Sequence, residues 1–370
     1  MQTAIVIPCL DEEASLMRTC LSLGFHADAA PSQTMLILVD NGSTDNTMAV
    51  MREIRRRHMS VVLVGQMLER GYVPPRHLGV LLAKAFADEH GLANEEILIL
   101  QADADTVYDN NYLPTMKAAA IAAPQDLIEG VARADDAFLG AYPGYHDCCA
   151  LADTAVSRFA VAEAEEVVID DKVAGYRLSE YVRWGGHRRE FNAQGDEIHA
   201  ETSRLFIRAK TLGAGRTRAG DAFAYPSRRK ILADPLAAFA SCGFPREQAW
   251  RARWATDHPA GLPLDAFDCA HPATDLVGAV FVRQVHFLIL YALLPIRVQL
   301  ALGRCDGASV LRSPLGRLLE EVSIDAEALR TQPGRLFEAF FALADLRPQL
   351  FADCISQGPL PPSSTIAWAI

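Results

Sequence analysis

Residues 98–106 read Leu-Ile-Leu-Gln-Ala-Asp-Ala-Asp-Thr, an apolar run that ends in two acids spaced i, i+2. In an extended chain this spacing points both side chains to one face. At the end of a strand, that face looks into the crevice where open α/β sheets bind ligands. Because neighbouring carboxylates repel each other, Asp103 and Asp105 predict a divalent cation that also holds phosphate oxygens. The plainer alternative is that both acids only end a strand and cap the next helix.

Short apolar runs alternate with helical stretches along the first hundred residues. The runs are typical of buried parallel strands because they are continuous and rich in β-branched residues; they cover residues 3–7, 35–39, 61–64 and 96–100. This alternation predicts an α/β fold with a doubly wound, mostly parallel sheet that binds its ligand at the carboxyl ends of the strands. Pro8, Asp40 and Asp103 fall at such ends.

Local signals place the breaks between these elements. Pro8 is expected to stop the first strand, and the acids that follow it are expected to open a helix over residues 11–22. The stretch 70–75, with its glycine and two prolines, is predicted to be a loop before a helix over 76–89.

Composition and charge narrow the class of protein. Half of the 370 residues are hydrophobic and 22% are charged, which is ordinary for a globular chain. The net charge of −11 argues against a nucleic-acid partner, since such proteins normally carry a basic face. The eight cysteines form no CxxC and no zinc-type spacing with histidine, so we expect thiols in a reducing, cytoplasmic compartment.

Membrane and targeting signals are weak in this sequence. A strand is predicted almost from Met1, so we expect no signal peptide. The uninterrupted apolar run 287–296 is too short to span a bilayer and predicts a core helix. A peripheral contact at the inner face of the membrane remains an alternative.

Four motifs in order carry a family resemblance: PCLDEE (8–13), VDNGSTDNT (39–47), RGYVPPRHLG (70–79) and QADADT (101–106). Together they resemble the nucleotide-binding half of a family 2 glycosyltransferase with the GT-A fold. The resemblance covers residues 1 to about 115 and resumes at 184–186, 201–209 and 225–229. It implies a GT-A type, Rossmann-like sheet and a hexosyltransferase-type enzyme that uses Mg²⁺ or Mn²⁺.

The resemblance also implies roles for individual residues. Pro8, Leu10 and Glu12 would line the pocket for the base, and Asp40 would hydrogen-bond the base. Arg76 would approach the ribose or the diphosphate. Asp103 would face the ribose and the metal, and Asp105 would ligate the metal that bridges the two phosphates.

Three acids are candidates for the general base. In inverting family members an acid pair supplies it, and this chain has Glu201 followed by Thr202 where the second acid would stand. Glu201 is the first choice, with Asp196 and Glu197 as rivals on the preceding loop. A base of this kind must reach the acceptor hydroxyl within about 3 Å. Trp184 is a candidate for stacking on a sugar face.

The resemblance divides the chain into a GT-A domain over residues 1–231 and a mostly helical region over 232–370. Within the first domain, residues 1–115 would bind the nucleotide sugar and 116–231 the acceptor. The donor would be a UDP- or GDP-sugar, and the acceptor a carbohydrate, a lipid-linked sugar or a small molecule. The helical region leaves a homodimer open.

Two other functions stay open at this point. A nucleotidyltransferase also uses a doubly wound sheet with metal carboxylates, but it usually carries a glycine-rich basic loop after the first strand. Here residues 9–13 are acidic and contain no glycine. A non-catalytic protein that binds sugar nucleotides is suggested by Thr202.

Overall fold

A computed structural model describes residues 1–26, 29–259 and 261–356. The chain divides into two compact units. The sheet unit comprises Met1–Asp135, Ile169–Phe191 and Glu197–Ser227, and the helical unit comprises Asp136–Val168, Asn192–Asp196 and the chain from Arg228 onward. The helical unit thus combines residues 136–168 and 192–196 with the chain from Arg228 onward. The predicted division at residue 231 stays a prediction. The stretch 358–364, whose prolines and serines predict a loop or disorder, lies outside the described residues.

All the strands belong to the sheet unit and form one sheet in the order β3-β2-β1-β4-β7-β6-β8-β5. In chain order the strands are β1 Gln2–Cys9, β2 Thr34–Asp40, β3 Val62–Gln66, β4 Ile97–Gln101, β5 Thr106–Tyr108, β6 Leu127–Ala132, β7 Ala174–Arg177 and β8 Arg216–Pro226. β3, β2, β1 and β4 are parallel, as are β6 and β8, whereas β7 and β5 pair antiparallel with their neighbours.

Helices flank the sheet and make up most of the helical unit. They are α1 Leu16–Ser22, α2 Thr47–Arg57, α3 Val73–Glu89, α4 Tyr112–Ala122, α5 Asp136–Ala141, α6 Pro143–Thr154, α7 Leu178–Arg183, α8 Glu201–Thr211, α9 Arg229–Ala233, α10 Pro235–Ala240, α11 Gln248–Asp257, α12 Val277–Leu288, α13 Leu294–Ala301, α14 Gly307–Leu311, α15 Gly316–Glu320, α16 Ala326–Thr331, α17 Gly334–Leu346 and α18 Pro348–Ser356. The predicted α/β class with a helical C-terminal region is confirmed.

The sheet is doubly wound because alternate residues of its strands enter two different cores. Ile5 and Ile7 of β1 pack with α1, α2 and α4 on one face, whereas Ala4 and Val6 pack with α3 and α8 on the other. Side chains of a strand alternate between its two faces, so a strand buried on both sides needs a continuous apolar run. This explains why the sequences of β1, β2 and β4 are continuous apolar runs.

Three local predictions were wrong. Pro8 lies inside β1, because the pairing with β4 stops at Val6 and only the β2 side continues, so the missing N–H of proline breaks no ladder bond there. Helix α1 starts at Leu16 instead of residue 11. Helix α3 starts at Val73, since prolines are well tolerated in a first turn, where their N–H would have no intrahelical partner.

The helical unit is held by its own apolar core and by a part-buried ion pair. The core groups Trp250, Trp254 and Phe267 with residues of α6, α10 and α12. Arg283 of α12 donates to both oxygens of Asp153 in α6, at 2.8 and 2.7 Å, and to the carbonyl of Phe239 in α10. One guanidinium thus joins three helices.

The helix α12, a π-helical segment and α13 form one helical run over Val277–Ala301. This run of 25 residues has a mean hydropathy of 1.8 in its most apolar window, which by length and composition alone is enough to cross a membrane. The core helix of a soluble protein passes the same test, and 56% of this window is buried inside the structure. The helix is therefore longer than the uninterrupted apolar run 287–296, because it continues through Arg283 and Arg297.

We expect Asp153→Ala to lower the free energy of unfolding by about 2–3 kcal/mol, because it leaves the Arg283 guanidinium without its carboxylate. This loss of unfolding free energy is smaller than for a fully buried ion pair, because the Asp153 side chain is 28% exposed. Urea unfolding followed by tryptophan fluorescence measures it. The control is Asp88→Ala, which breaks the exposed Lys84–Asp88 pair and should cost less than about 0.5 kcal/mol. Equal losses in the two variants would contradict the role given to Arg283.

Candidate active site at the carboxyl edge of the sheet

Asp40 ends β2 and organises the loop that follows it. Its carboxylate accepts hydrogen bonds from the backbone N–H groups of Gly42, at 3.2 Å, and Ser43, at 3.1 Å. Gly42 has a φ of 81°, a left-handed conformation that glycine adopts without strain. Asp40 is buried, and Gln66 at the end of β3 also donates to it. The predicted hydrogen bond to a nucleobase stays a prediction.

The loop after β1 is tied to the loop after β2 by reciprocal hydrogen bonds. The Asp11 carboxylate accepts from the N–H of Thr44 at 2.6 Å, and the Asp11 N–H donates to Ser43 at 3.0 Å. The N–H of Glu12 donates to Thr47 at 2.6 Å. The loops after β1 and β2 are thus held together by hydrogen bonds.

The predicted base-pocket residues differ in exposure. Leu10 is 42% exposed at the carboxyl end of β1, and Pro8 is half-buried. Glu12 is buried, and its carboxylate accepts from the Ser15 hydroxyl at 2.6 Å. Leu10 is therefore the predicted pocket residue that offers an apolar surface at this edge.

Arg76 is the buried centre of the site. From the first turns of α3 it donates to Asp103 at 2.7 Å, to Glu201 at 2.9 Å and to Gln101 at 3.2 Å. Burial alone would lower the pKa of Arg76, but the carboxylates of Asp103, Asp171 and Glu201 raise it above its usual value. The guanidinium therefore stays charged. The predicted contact of Arg76 with the ribose or diphosphate stays a prediction.

Asp103 and Asp105 lie in the turn between β4 and β5, not at the end of an extended strand. The side-chain alternation of a strand therefore does not position them. Instead, the Asp103 N–H donates to the Tyr108 hydroxyl at 3.1 Å, and the Asp105 carbonyl accepts from the N–H of Ser227 at 3.0 Å. The Asp103 side chain is 31% exposed even though Arg76 binds it.

Glu201 opens helix α8. The residue before it, Ala200, has a φ of 63°, so the chain turns sharply into the helix. An acid in the first turn suits the positive end of the helix dipole. Glu201 is buried, and its Oε1 atom accepts from Arg76, 125 positions earlier in the chain. Thr202 is completely buried behind it.

Two buried arginines of α8 fix the segment that precedes this helix. Arg204 donates to the carbonyls of Arg188 and Ile198, at 2.9 and 2.8 Å, and Arg208 donates to the carbonyl of Gly186. Trp184 is 2% exposed in the core between α3, α7 and α8. The prediction that Trp184 stacks on a sugar is wrong, because that side chain is needed as packing.

The two rival bases have other surroundings. The Glu197 carboxylate accepts from the N–H groups of Tyr72 and Val73, both at 3.3 Å, and from Arg189 at 3.1 Å. It thus caps the N-terminus of α3. Asp196 belongs to the helical unit, where its N–H donates to the Asn192 side chain.

Asp171 is a site residue that sequence reasoning missed. It begins a short 3-10 turn after Asp170, in the sequence Ile-Asp-Asp-Lys. Burial, together with the nearby carboxylate of Glu201, raises the pKa of Asp171 to about 7, and Arg76 opposes this shift. A second Asp pair just before a strand was the available signal, but nothing local distinguished it from a solvated turn.

The acids of this edge fit one kind of metal site. The described residues contain no group of three or more His, Cys, Asp or Glu side chains arranged to hold an ion. Mg²⁺ and similar hard cations, however, often use one or two carboxylates and take the rest of their ligands from substrate phosphates and water. Asp103 and Asp105 fit such a phosphate-borne cation and do not form a cage of their own.

No protein-family model matches the chain, and no curated protein matches it in sequence. Similar solved structures include the mannosyltransferase PcManGT from Pyrobaculum calidifontis in complex with GDP-Man and Mn²⁺. Its identity is 15% and its TM-score 0.46, over 96% of this chain and 85% of that one. S. aureus TarS 1-349 in complex with UDP has 14% identity and a TM-score of 0.45, over 92% of each chain.

The TarS fragment in complex with UDP-GlcNAc gives similar values, with 13% identity and a TM-score of 0.45 over 92% of each chain. At these identities and TM-scores the similarity is too distant to assign a substrate or a metal to this chain.

We expect Arg76→Met to destabilise the protein by about 3 kcal/mol at pH 7.5, because Glu201 and Asp103 lose the cation that binds them. The loss should shrink toward pH 5. Without the arginine the pKa of Asp171 rises further, so the acids can take up protons and lose the charge that destabilises them. Urea unfolding at both pH values measures this, with Arg76→Lys as the variant that keeps the charge. A loss that is independent of pH would contradict the electrostatic role.

Proposed function

We propose that the chain is a glycosyltransferase that moves a sugar from a nucleotide-diphosphate sugar to an acceptor hydroxyl. The observation that carries the proposal is the buried Arg76, which holds Asp103 after β4 and Glu201 at the start of α8. This cluster lies at the carboxyl edge of parallel strands, the usual ligand site of a doubly wound sheet. The motif resemblance to family 2 enzymes with the GT-A fold supports the same assignment.

The donor nucleotide would bind at the loops after β1 and β2. Leu10 offers an exposed apolar side chain for a base, and Asp40 offers a carboxylate held by its own loop. The hydrogen bonds between Asp11 and residues 43–44 support a preformed pocket, which lowers the ordering cost of binding.

Asp103 and Asp105 would hold Mg²⁺ or Mn²⁺ together with the donor phosphates. When bound, such a cation stabilises the negative charge that develops on a leaving diphosphate. The acids contribute two carboxylates beside a buried arginine, and this combination suits a phosphate-rich ligand.

The reaction would be a single in-line displacement with inversion. The acceptor oxygen forms a bond to the anomeric carbon as the bond from that carbon to the β-phosphate oxygen breaks. The nucleoside diphosphate leaves with the electron pair, and an acid of the site takes the acceptor proton. The sequence selects Glu201 for this last role.

The proposed acceptor is a carbohydrate, a lipid-linked sugar or a small molecule, in each case with a free hydroxyl. A cytoplasmic location with peripheral contact at the inner membrane face suits the apolar run Val277–Ala301, and a homodimer is a further proposal.

Binding of the donor is tested first. We expect at least one of a panel of UDP-, GDP- and dTDP-sugars to raise Tm by several degrees with Mn²⁺, and by clearly less in excess EDTA, because a ligand that binds only the native state stabilises it. No shift with any donor would count against the proposal. Release of pyrophosphate from a nucleoside triphosphate plus a sugar phosphate would point to a nucleotidyltransferase.

Turnover is tested with Asp105→Asn. This variant should lose at least about 100-fold in release of nucleoside diphosphate from the selected donor, since it removes a carboxylate expected to hold the cation. Asp109→Asn is the control, because Asp109 only caps the turn before α4. Full activity of Asp105→Asn would contradict the metal role. Donor binding without turnover in the unmodified protein would point to a non-catalytic binder.

A further inference from the structure

Asp171 has an oxygen atom for which the fold provides no donor. Its Oδ1 atom is buried, and none of the described residues donates a hydrogen bond to it. A buried acceptor without a hydrogen-bond donor lowers the stability of a folded protein by about 1–3 kcal/mol. Such atoms are therefore rare and often have a functional role. Glu201, by contrast, already accepts from Arg76 at 2.9 Å, in a pair whose side chains are both almost fully buried.

The charges around Asp171 favour an acid that holds or releases a proton near neutral pH. Burial and Glu201 raise its pKa, while Arg76 and a hydrogen bond with the Thr202 hydroxyl lower it, and the net result is a pKa of about 7. A general base works best when its pKa lies near the working pH. The charged or titratable groups within electrostatic reach are Arg76, Asp103, Glu201, Lys172 and Tyr176.

A line of hydrogen-bonding side chains leads away from Asp171; we call it the relay, and it consists of Thr202, His187, Tyr181 and His77. Thr202 Oγ1 lies 3.3 Å from His187 Nε2, and His187 Nδ1 lies 3.2 Å from the Tyr181 hydroxyl. That hydroxyl lies 2.8 Å from Nδ1 of His77, which is only half-buried.

Every member of the relay can both donate and accept a hydrogen bond, provided that the imidazoles are neutral. Burial, with the nearby charges of Arg76 and Arg208, holds the pKa of His187 well below its usual value, and burial also lowers that of His77. Both rings are therefore neutral at pH 7. Thr202 stands where a second acid was expected, and its hydroxyl keeps the line continuous.

We propose that Asp171, and not Glu201, accepts the proton of the acceptor hydroxyl, and that the relay carries this proton to solvent at His77. The inference rests on the proposed glycosyl transfer. The acceptor O–H bond breaks, its electron pair forms the new bond to the anomeric carbon, and the proton moves to Asp171. Each relay member then takes one proton and passes one on, so one proton leaves at His77 and all charges are restored.

The first test compares Asp171→Asn with Glu201→Gln. The probe is the slow hydrolysis of the donor selected by the binding panel, with water in place of the acceptor. Asp171→Asn should lower kcat by at least about 100-fold and leave the donor Kd unchanged, whereas Glu201→Gln should lose less than about 10-fold. Hydrolysis that persists in Asp171→Asn and disappears in Glu201→Gln would overturn the assignment.

The pH profile provides an independent readout. In the unmodified protein kcat/KM should fall with unit slope as the pH drops below about 7, because the base must be ionised.

The relay is tested with Thr202→Val, which keeps the shape of the side chain and loses its hydroxyl, against Thr202→Ser. We expect about a 10-fold loss in kcat for valine, an unchanged KM, and near-normal turnover for serine. Equal rates for valine and serine would overturn the relay.

Tyr181→Phe and its control Tyr145→Phe remove one buried hydroxyl each, but only the first breaks the relay. A lower kcat in Tyr181→Phe alone supports the relay, and normal turnover in both variants overturns it.

A stability measurement tests Asp171 without any acceptor. An acid with a raised pKa binds its proton more tightly in the folded than in the unfolded chain, so its contribution to stability is lost as the pH rises toward 7. The Tm of Asp171→Asn minus that of the unmodified protein should therefore be at least about 4 °C more positive at pH 8 than at pH 5. A constant difference would overturn the assignment. The absence of binding by any sugar nucleotide would contradict the proposed glycosyl transfer and, with it, the role of Asp171 in that reaction. Binding and turnover that do not depend on Asp171 would contradict the Asp171 assignment alone.

Discussion

One buried cation, the guanidinium of Arg76, sets the charge balance at the carboxyl edge of the sheet. It binds Asp103 from the turn after β4 and Glu201 from the start of α8, and it lies within electrostatic reach of Asp171. Arginine keeps its charge when buried, whereas buried carboxylates need a partner or a proton. Because three acids surround a single guanidinium, they cannot all be compensated equally. Arg76 therefore binds Asp103 and Glu201 directly, whereas Asp171 has a pKa raised to about 7 by burial and by Glu201.

This balance places acids of similar chemistry in different surroundings. Asp40 accepts hydrogen bonds from backbone N–H groups of its own loop, and Glu201 forms an ion pair with Arg76. Asp103 and Asp105 stay partly exposed in a turn, where phosphate oxygens and a cation could reach them. Asp171 has a buried Oδ1 atom to which none of the described residues donates a hydrogen bond. The proposed mechanism assigns one acid to the cation and another to the proton, and such a division needs this kind of separation.

Much of the sheet and part of the site could be predicted because their signals are local. Continuous apolar runs in the sequence predicted β1, β2, β3 and β4. Predictions were wrong where strand pairing or position within a helix determines the ends of an element. Pro8 continues a strand that is paired on one side, and Val73 starts a helix just before two prolines. The burial of Trp184 depended on the helices packed around it, which periodicity does not reveal.

The sequence by itself determined the parallel strands and the acidic segments that follow them, because both follow from short runs of side chains with strong local preferences. Only the tertiary structure decided that Arg76 meets a carboxylate 125 positions away, and that Asp171 comes within electrostatic reach of the same arginine. It also grouped residues 136–168 with the helical unit. These outcomes depend on contacts between distant segments, and the pKa of a side chain is set by such contacts and not by its neighbours in sequence.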